Sequence, residues 1–331
     1  MQFGLFDHLD ARAEPPARIY AERLALIRSA EQAGFRAYHL AEHHGTPLGL
    51  APSPGLFLAA VARETRHLRL GPMVYCLPLY QPLRLLEEIC MLDHLSDGRL
   101  EVGVGRGVSP LESTLFGIDP AESVDRYVEA LEVIRRGLSA PVLDFRGRFY
   151  SYENVDLPLR PLQKAIPFWS AAATPEALRF AAAAGMHLMT GGDDQRVRGA
   201  AHAYADLIAG RSPRPLIGAS RLVHVAENDA IAEARARAAY RHWHGQLAWL
   251  WRRRGVDHPL LAVDTFERAA GLGMIIAGSA GRVRDALHRQ VESCGYDYSV
   301  LQFAFGDLGH AAEMASLERF AEQVMPDFAR P

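Results

Sequence analysis

Several features that would place the chain outside the ordinary globular class are missing. No apolar run approaches the ~18 residues of a membrane-spanning helix, so no membrane protein is expected. Positive charge is not in excess: 36 Lys and Arg face 39 Asp and Glu, for a net charge of −3. That balance supplies neither the basic footprint of a nucleic-acid binder nor a polybasic membrane anchor. Cysteine is scarce. Cys76, Cys90 and Cys294 show no CxxC or metal-ligand spacing, which suits reduced thiols in the cytoplasm. No internal repeat, low-complexity tract or inter-domain linker stands out. The first residues, Met1 to Phe6, lack a basic leader and read as a strand, so no secretory signal is expected.

What is present is a long, ordinary composition. The 331 residues are 49% hydrophobic and 23% charged, enough to bury a large core without covalent staples. Strand and helix patterns alternate throughout. Strands are read at Phe3–Phe6, Ala37–Ala41, Leu68–Tyr75, Leu100–Val104, Phe168–Ala172, Leu188–Thr190, Ile217–Ala226 and Tyr298–Phe305. Helical periodicity fills the gaps, including Ala17–Gly34, Pro82–Leu95, Ser123–Leu138 and one long helix over Asp229–Arg254. Eight strands each followed by a helix predict an α/β fold, a (β/α)8 TIM barrel spanning residues 1–331 as one unit. Two stretches break the rhythm: 141–167, read as a hairpin and an extended crossing, and 240–277, read as a loop or lid.

The chain's chemistry is expected at the C-terminal ends of the strands. Glu42-His43-His44-Gly45 follows the second strand. A carboxylate and two adjacent histidines there read either as a hydrogen-bonded loop cluster or as one wall of an active site. Gly103-Val104-Gly105-Arg106-Gly107 ends the fourth strand. Its glycines allow close backbone approach, and Arg106 suits a phosphate or carboxylate, but a tight turn with a solvated arginine reads equally well. Ala172-Ala173-Thr174-Pro175 turns the fifth strand into a helix, with Thr174 at the N-cap. A helix start there could hold a phosphate or simply be capped. Gly278-Ser279 could act in the same way before a later helix. Met73-Val74-Tyr75 offers an apolar surface for a planar ring, or ordinary packing. Arg252, Arg253 and Arg254 could meet a charged substrate or simply complement a helix end.

Taken together, these segments resemble the bacterial-luciferase-like, flavin-dependent monooxygenases. The resemblance rests on Ala41-Glu42-His43-His44, Leu70-Gly71 through Gln81-Pro82-Leu83-Arg84, Asp93 through Arg99, Gly103 through Gly107, Phe116-Gly117, Pro161-Leu162-Gln163-Lys164 and Val324-Met325-Pro326. It covers most of the chain. It implies a luciferase-like barrel that takes reduced FMN from a separate flavin reductase, activates O2 as a flavin C4a-peroxide, and oxygenates a small-molecule organic substrate. His43 then corresponds to an acid/base near the flavin, with Glu42 and His44 as supports. Met73–Val74 corresponds to a cis peptide under the ring, with Tyr75 beside it. Arg106, Arg126, Ala172, Ala173 and Thr174 correspond to the phosphate site. Gly105 stands where the luciferase α chain has cysteine, which leaves more room beside the flavin. A homodimer through the helices near Pro54–Ala62 and Pro82–Leu95 is implied as well. The same scaffold also serves deazaflavin-dependent dehydrogenases and non-catalytic partner subunits, and both alternatives stay open.

Overall fold

The computed structural model describes residues 1–328. Its strands are β1 (Gln2–Asp7), β2 (Ala37–Leu40), β3 (Arg69–Pro72), β4 (Tyr75–Cys76), β5 (Val102–Gly105), β6 (Val142–Arg146), β7 (Ser151–Asp156), β8 (Phe168–Ala171), β9 (His187–Thr190), β10 (Ile217–Val225), β11 (Ile275–Gly278) and β12 (Tyr298–Gln302). The main sheet has ten strands in the order β3-β2-β1-β12-β10-β9-β8-β5-β4, with β11 paired to β10. β3 and β4 are two pieces of one stave, and β11 lies off the ring, so ten strands make eight staves. The parallel β4–β5 ladder and a bridge between Leu70 and Leu100 close the circle. This is the TIM barrel the alternation predicts.

Local chemistry starts the helices where the sequence marks them. Pro16, Pro54, Pro82, Pro110 and Pro175 each open a helix, where a missing N–H costs nothing and the fixed φ is already helical. The first helix, Pro16–Gln32, buries Ile19, Arg23, Leu26, Ile27 and Ala30 on one stripe. Arg23 is buried too, because its guanidinium meets Asp7 at 2.7 Å and Glu313 at 3.4 Å, joining β1 to the last helix, His310–Gln323.

The barrel is closed at its N-terminal end by a buried carboxylate. Glu101 accepts from Arg36 (Nη1, 3.0 Å), Arg69 (2.5 Å) and the Trp169 indole (2.7 Å). Burial alone would raise its pKa, but hydrogen bonding and charge from Arg36, with His39 and Arg69, hold it down to about 2. Above this plug lies an apolar belt of Met73, Trp169, Met189, Tyr298 and Val300, with Phe6 and Val74 against it.

The insertions differ from expectation in one respect. Residues 142–156 do form an antiparallel hairpin, β6 with β7. The stretch after Gly255, read as loop or lid, is largely structured. It carries a short helix, Phe266–Gly271, and β11, which pairs in register with Leu222–Val225 of β10. Its four residues are too few to show a period. The long helix read over Asp229–Arg254 breaks at Ala248 into Asp229–Leu247 and Trp249–Arg254, the latter ended by Gly255 in the left-handed region (φ 63°). No helix among the described residues is long and apolar enough to cross a membrane.

On the β10 extension, His224 is fully buried and neither ring nitrogen has a partner. Burial pushes its pKa down to about 4, with Arg235 adding to the effect. The unfolded chain binds a proton there below about pH 6.5 and the folded chain does not, so stability is lost as pH falls from 6.5 towards 4. His224→Leu removes both the unpaired nitrogens and this linkage. It should stabilise at pH 8 and stabilise by about 2 kcal/mol more at pH 5, measured by urea unfolding at the two pH values.

Candidate active site

At the C-terminal end of β2 the chain passes through Glu42, His43 and His44 and folds back over the barrel mouth. The two histidines are held by different carboxylates. His43 donates from Nδ1 to Glu112 Oε1 at 3.1 Å, and the backbone N–H of His44 donates to Glu112 Oε2 at 3.0 Å. His44 Nε2 lies 2.9 Å from Glu42 Oε1. The other Glu42 oxygen accepts from the Cys76 N–H (3.1 Å) and the Tyr80 hydroxyl (2.8 Å). Glu42 therefore knits β2 to β4 and fixes His44. The expectation that Glu42 supports His43 is corrected: Glu112, on the six-residue helix Pro110–Leu115, does so.

Three residues missed from the sequence, Glu112, His8 and Gln302, belong to this wall. His8, just past β1, stacks on His43 with ring centroids 5.5 Å apart and lies 6.0 Å from Trp243. His8 Nδ1 is 3.1 Å from Gln302 Oε1 at the end of β12. Burial, then the nearby His43, lowers the His8 pKa to about 3, so His8 is a neutral ring against His43. The available signals were a polar residue at each strand end, and the Ser-Pro-Leu-Glu run over residues 109–112 that begins a helix.

The expected flavin-facing residues separate into groups. The Met73–Val74 peptide is cis, and both side chains belong to the apolar belt. Tyr75 is turned outward. It is buried in the outer core, its ring 5.4 Å from Tyr80. A Cβ on Gly55 would lie 3.1 Å from its hydroxyl. Only the Tyr75 backbone remains at the barrel mouth. Gly105 does not leave empty space: a Cβ there would lie 2.6 Å from Val74 Cγ2. The room that its missing side chain frees is filled by Val74.

Arg106 is exposed and makes no salt bridge among the described residues. β5 and β8 pair at Val104–Ser170, so Arg106 and Ala172 each stand two residues past that pair on adjacent staves. Thr174 caps the helix Pro175–Ala183 by accepting from Ala177 N at 3.3 Å, and Ala173 is half-buried beside it. The two other expected phosphate contacts are already engaged. Arg126 pairs with Glu122 at 3.0 Å and lies over the Phe149 ring at 4.3 Å. The Ser279 N–H donates to Asp229 at 2.7 Å, so the helix start after Gly278 faces a carboxylate where an anion was expected. Arg252, Arg253 and Arg254 are all exposed at a helix end.

Over His43 lie Leu247, Leu250, Trp251 and Leu260, with Thr46, Leu48, Val108 and Ser109 completing a cavity of about 20 Å3. A cleft of about 740 Å3 lies elsewhere, against β11 and the helix Ala280–Cys294. It contains none of these strand-end residues and is not the candidate site.

A barrel whose paired histidines and glycine-rich strand end share one mouth has known counterparts. The model of the luciferase-like monooxygenase family matches residues 1–298. The chain belongs to that family. Within it, the chain is 39% identical to protein y4wF of Sinorhizobium fredii over 98% of this chain and 96% of that one. It is 28% identical to the oxygenase component of a flavin-dependent trigonelline monooxygenase of Acinetobacter baylyi, covering 99% and 96%. Among solved structures, monooxygenase RslO1 from Streptomyces bottropensis superimposes with a TM-score of 0.86 at 28% identity, covering 99% of this chain and 100% of that one. Membership in the family agrees with the resemblance and with the barrel.

The Gly105–Val74 contact is specific to this site and can be broken and mended. Gly105→Ala should push Val74 from its place and destabilise the fold by roughly 1–3 kcal/mol, the usual cost of overpacking. Val74→Ala in the same chain should restore most of it. Urea unfolding checks both variants.

Proposed function

We propose that the protein is the oxygenating component of a two-component monooxygenase, using reduced FMN from a separate reductase and O2 to oxygenate a small organic substrate. The observation that carries this reading is the clamp of Glu112 on His43 above an apolar belt that ends in Met73 and Val74. It fixes one imidazole nitrogen and leaves the other for chemistry.

The residues at the mouth fit a flavin. Met73 and Val74 would lie under its ring, and Gly105 lets β5 approach closely. Arg106, a cation with no acidic partner among the described residues, would meet the phosphate together with Ala172, Ala173 and the capped helix start at Thr174. Arg126 would have to leave Glu122 to join them. When bound, FMN supplies the electrons that activate O2. The protein's own share is positioning, water exclusion and proton movement. Because Nδ1 of His43 is committed to Glu112, Nε2 is the atom that takes or gives a proton. His8, neutral at any working pH, packs the back of that ring without competing for the proton. Leu250 and Trp251 cover the cluster and keep water from it.

A homodimer fits the surface. Leu56 (77% exposed) on the helix Pro54–Glu64, with Met91 (54%) and Leu95 on Pro82–Leu95, are the large apolar side chains on the two helices the resemblance assigns to an interface.

The deciding experiment supplies reduced FMN, 18O2 and a panel of aldehydes, ketones, sulfonates and aromatic compounds, and looks for 18O in the product. Incorporation supports the proposal. Turnover that needs reduced deazaflavin and no O2 would replace it with a dehydrogenase.

His43→Ala should lower turnover by about 10²–10⁴-fold, the usual contribution of a general acid or base, with FMN still bound. Glu112→Ala should reduce kcat more than it raises KM, because its main effect is to free the imidazole it holds. Glu112→Gln should recover part of the loss, since its amide oxygen still accepts. Steady-state oxygen consumption separates these outcomes.

A further inference from the structure

The cavity beside His43 has an unusual wall. Leu48, Val108, Leu250, Trp251 and Leu260 make it apolar, and no lysine or arginine lines it. Its ionisable members, His43 and Glu112, are engaged with each other. The Thr46 hydroxyl donates to the Gln246 carbonyl at 3.0 Å and is also committed. Besides Nε2 of His43, that leaves Ser109. It is 5% exposed and stands at the N-cap of Pro110–Leu115, yet makes no capping bond, and its Oγ has no partner among the described residues. A serine in that position ordinarily caps. A buried hydroxyl without a partner is costly, and this one lines the cavity three residues from the carboxylate that holds His43.

We infer that this site selects an uncharged, mostly apolar substrate bearing one hydrogen-bonding oxygen, which the Ser109 hydroxyl holds beside His43 while Leu250 and Trp251 close over the apolar part. The inference rests on the oxygenase reading of the site. An anion would be buried without a cation and next to Glu112. A cation would have Glu112 alone to meet it, with each of its oxygens already sharing its charge with a donor, from His43 and from the His44 N–H. The three arginines nearby in sequence, Arg252 to Arg254, are exposed and contribute nothing to the wall. The cavity of about 20 Å3 has room for about one water, so binding must widen it.

The test uses the full chain without flavin and isothermal titration calorimetry. The probes are matched pairs that keep the oxygen and add a charge: cyclohexanone with 3-oxocyclohexanecarboxylate, and octanal with 8-oxooctanoate. Trigonelline, a zwitterion, is a fifth probe. The expected result is that at least one neutral member binds and its charged partner binds at least about tenfold more weakly, with trigonelline in the weak group. Ser109→Ala should weaken the neutral ligand by about three- to tenfold, the value of one hydrogen bond. Equal or tighter binding of the charged members, failure of every neutral probe, or an unchanged affinity in Ser109→Ala would overturn the inference. The wild-type comparison stands even where the variant fails to fold. Neutral probes that bind but are not oxygenated with reduced FMN and O2 would count against the oxygenase reading while upholding the pocket's selectivity. Oxygenation of a charged probe in preference to its neutral partner would do the reverse.

Discussion

The buried carboxylate of Glu101 is the constraint on which the barrel's geometry depends. It is fully buried, and an isolated charge could not stay there. It persists because Arg36, Arg69 and the Trp169 indole converge on it. Those partners come from the residue before β2, the start of β3 and the middle of β8, and Glu101 itself leads into β5. One group therefore ties four staves together at their N-terminal ends. The opposite ends of the same four staves carry His43, the Met73–Val74 pair, Arg106 and Thr174. A rigid plug below sets the relative heights of the groups above.

Between plug and mouth, charge gives way to an apolar belt of Phe6, Met73, Met189 and Val300. This separation keeps the two charged clusters independent. At the mouth, each histidine has its own carboxylate, and the carboxylates differ in duty. Glu42 spends three contacts on structure: His44, the Cys76 N–H and the Tyr80 hydroxyl. Glu112 spends two, on His43 and on the backbone of His44. Because Glu112 holds both neighbours, the loop that follows β2 cannot turn His43 without also moving His44.

Most of the fold was legible because barrel strands and their covering helices keep simple periods. β2 is buried at all four residues, and most of the helices begin on proline or a capping side chain. What escaped was what no local period encodes. β11 is four residues long and takes its identity from register with β10, some fifty residues earlier in the chain. Tyr75 was grouped with Met73 and Val74 as one apolar strand end, but the stave is interrupted between Pro72 and Tyr75, so inward and outward positions do not carry across. Gly105 was read as vacant space because a sequence shows the missing side chain but not the Val74 methyl that takes its place. Glu112 is 69 residues from His43, and only the closed barrel brings them together.

The adjacency of two histidines is where sequence and structure inform each other most. As residues the two imidazoles are alike, and only the resemblance set His43 apart as the acid/base, with His44 as its support. In the fold they are unequal. His44 is anchored through Nε2 to a carboxylate that is itself locked, and its ring meets Phe116 edge-on at 4.7 Å. His43 is anchored through Nδ1, lies flat against the neutral His8, and faces a cavity closed by Leu250 and Trp251. An imidazole can serve as a proton carrier only if one nitrogen is held and the other is free. Both histidines have one held nitrogen, but His43 alone lines that cavity. The same enclosure that covers His43 also leaves Ser109 without a partner among the described residues, so the proposed acid/base role and the proposed hold on a substrate oxygen both rest on one arrangement of residues 106–112.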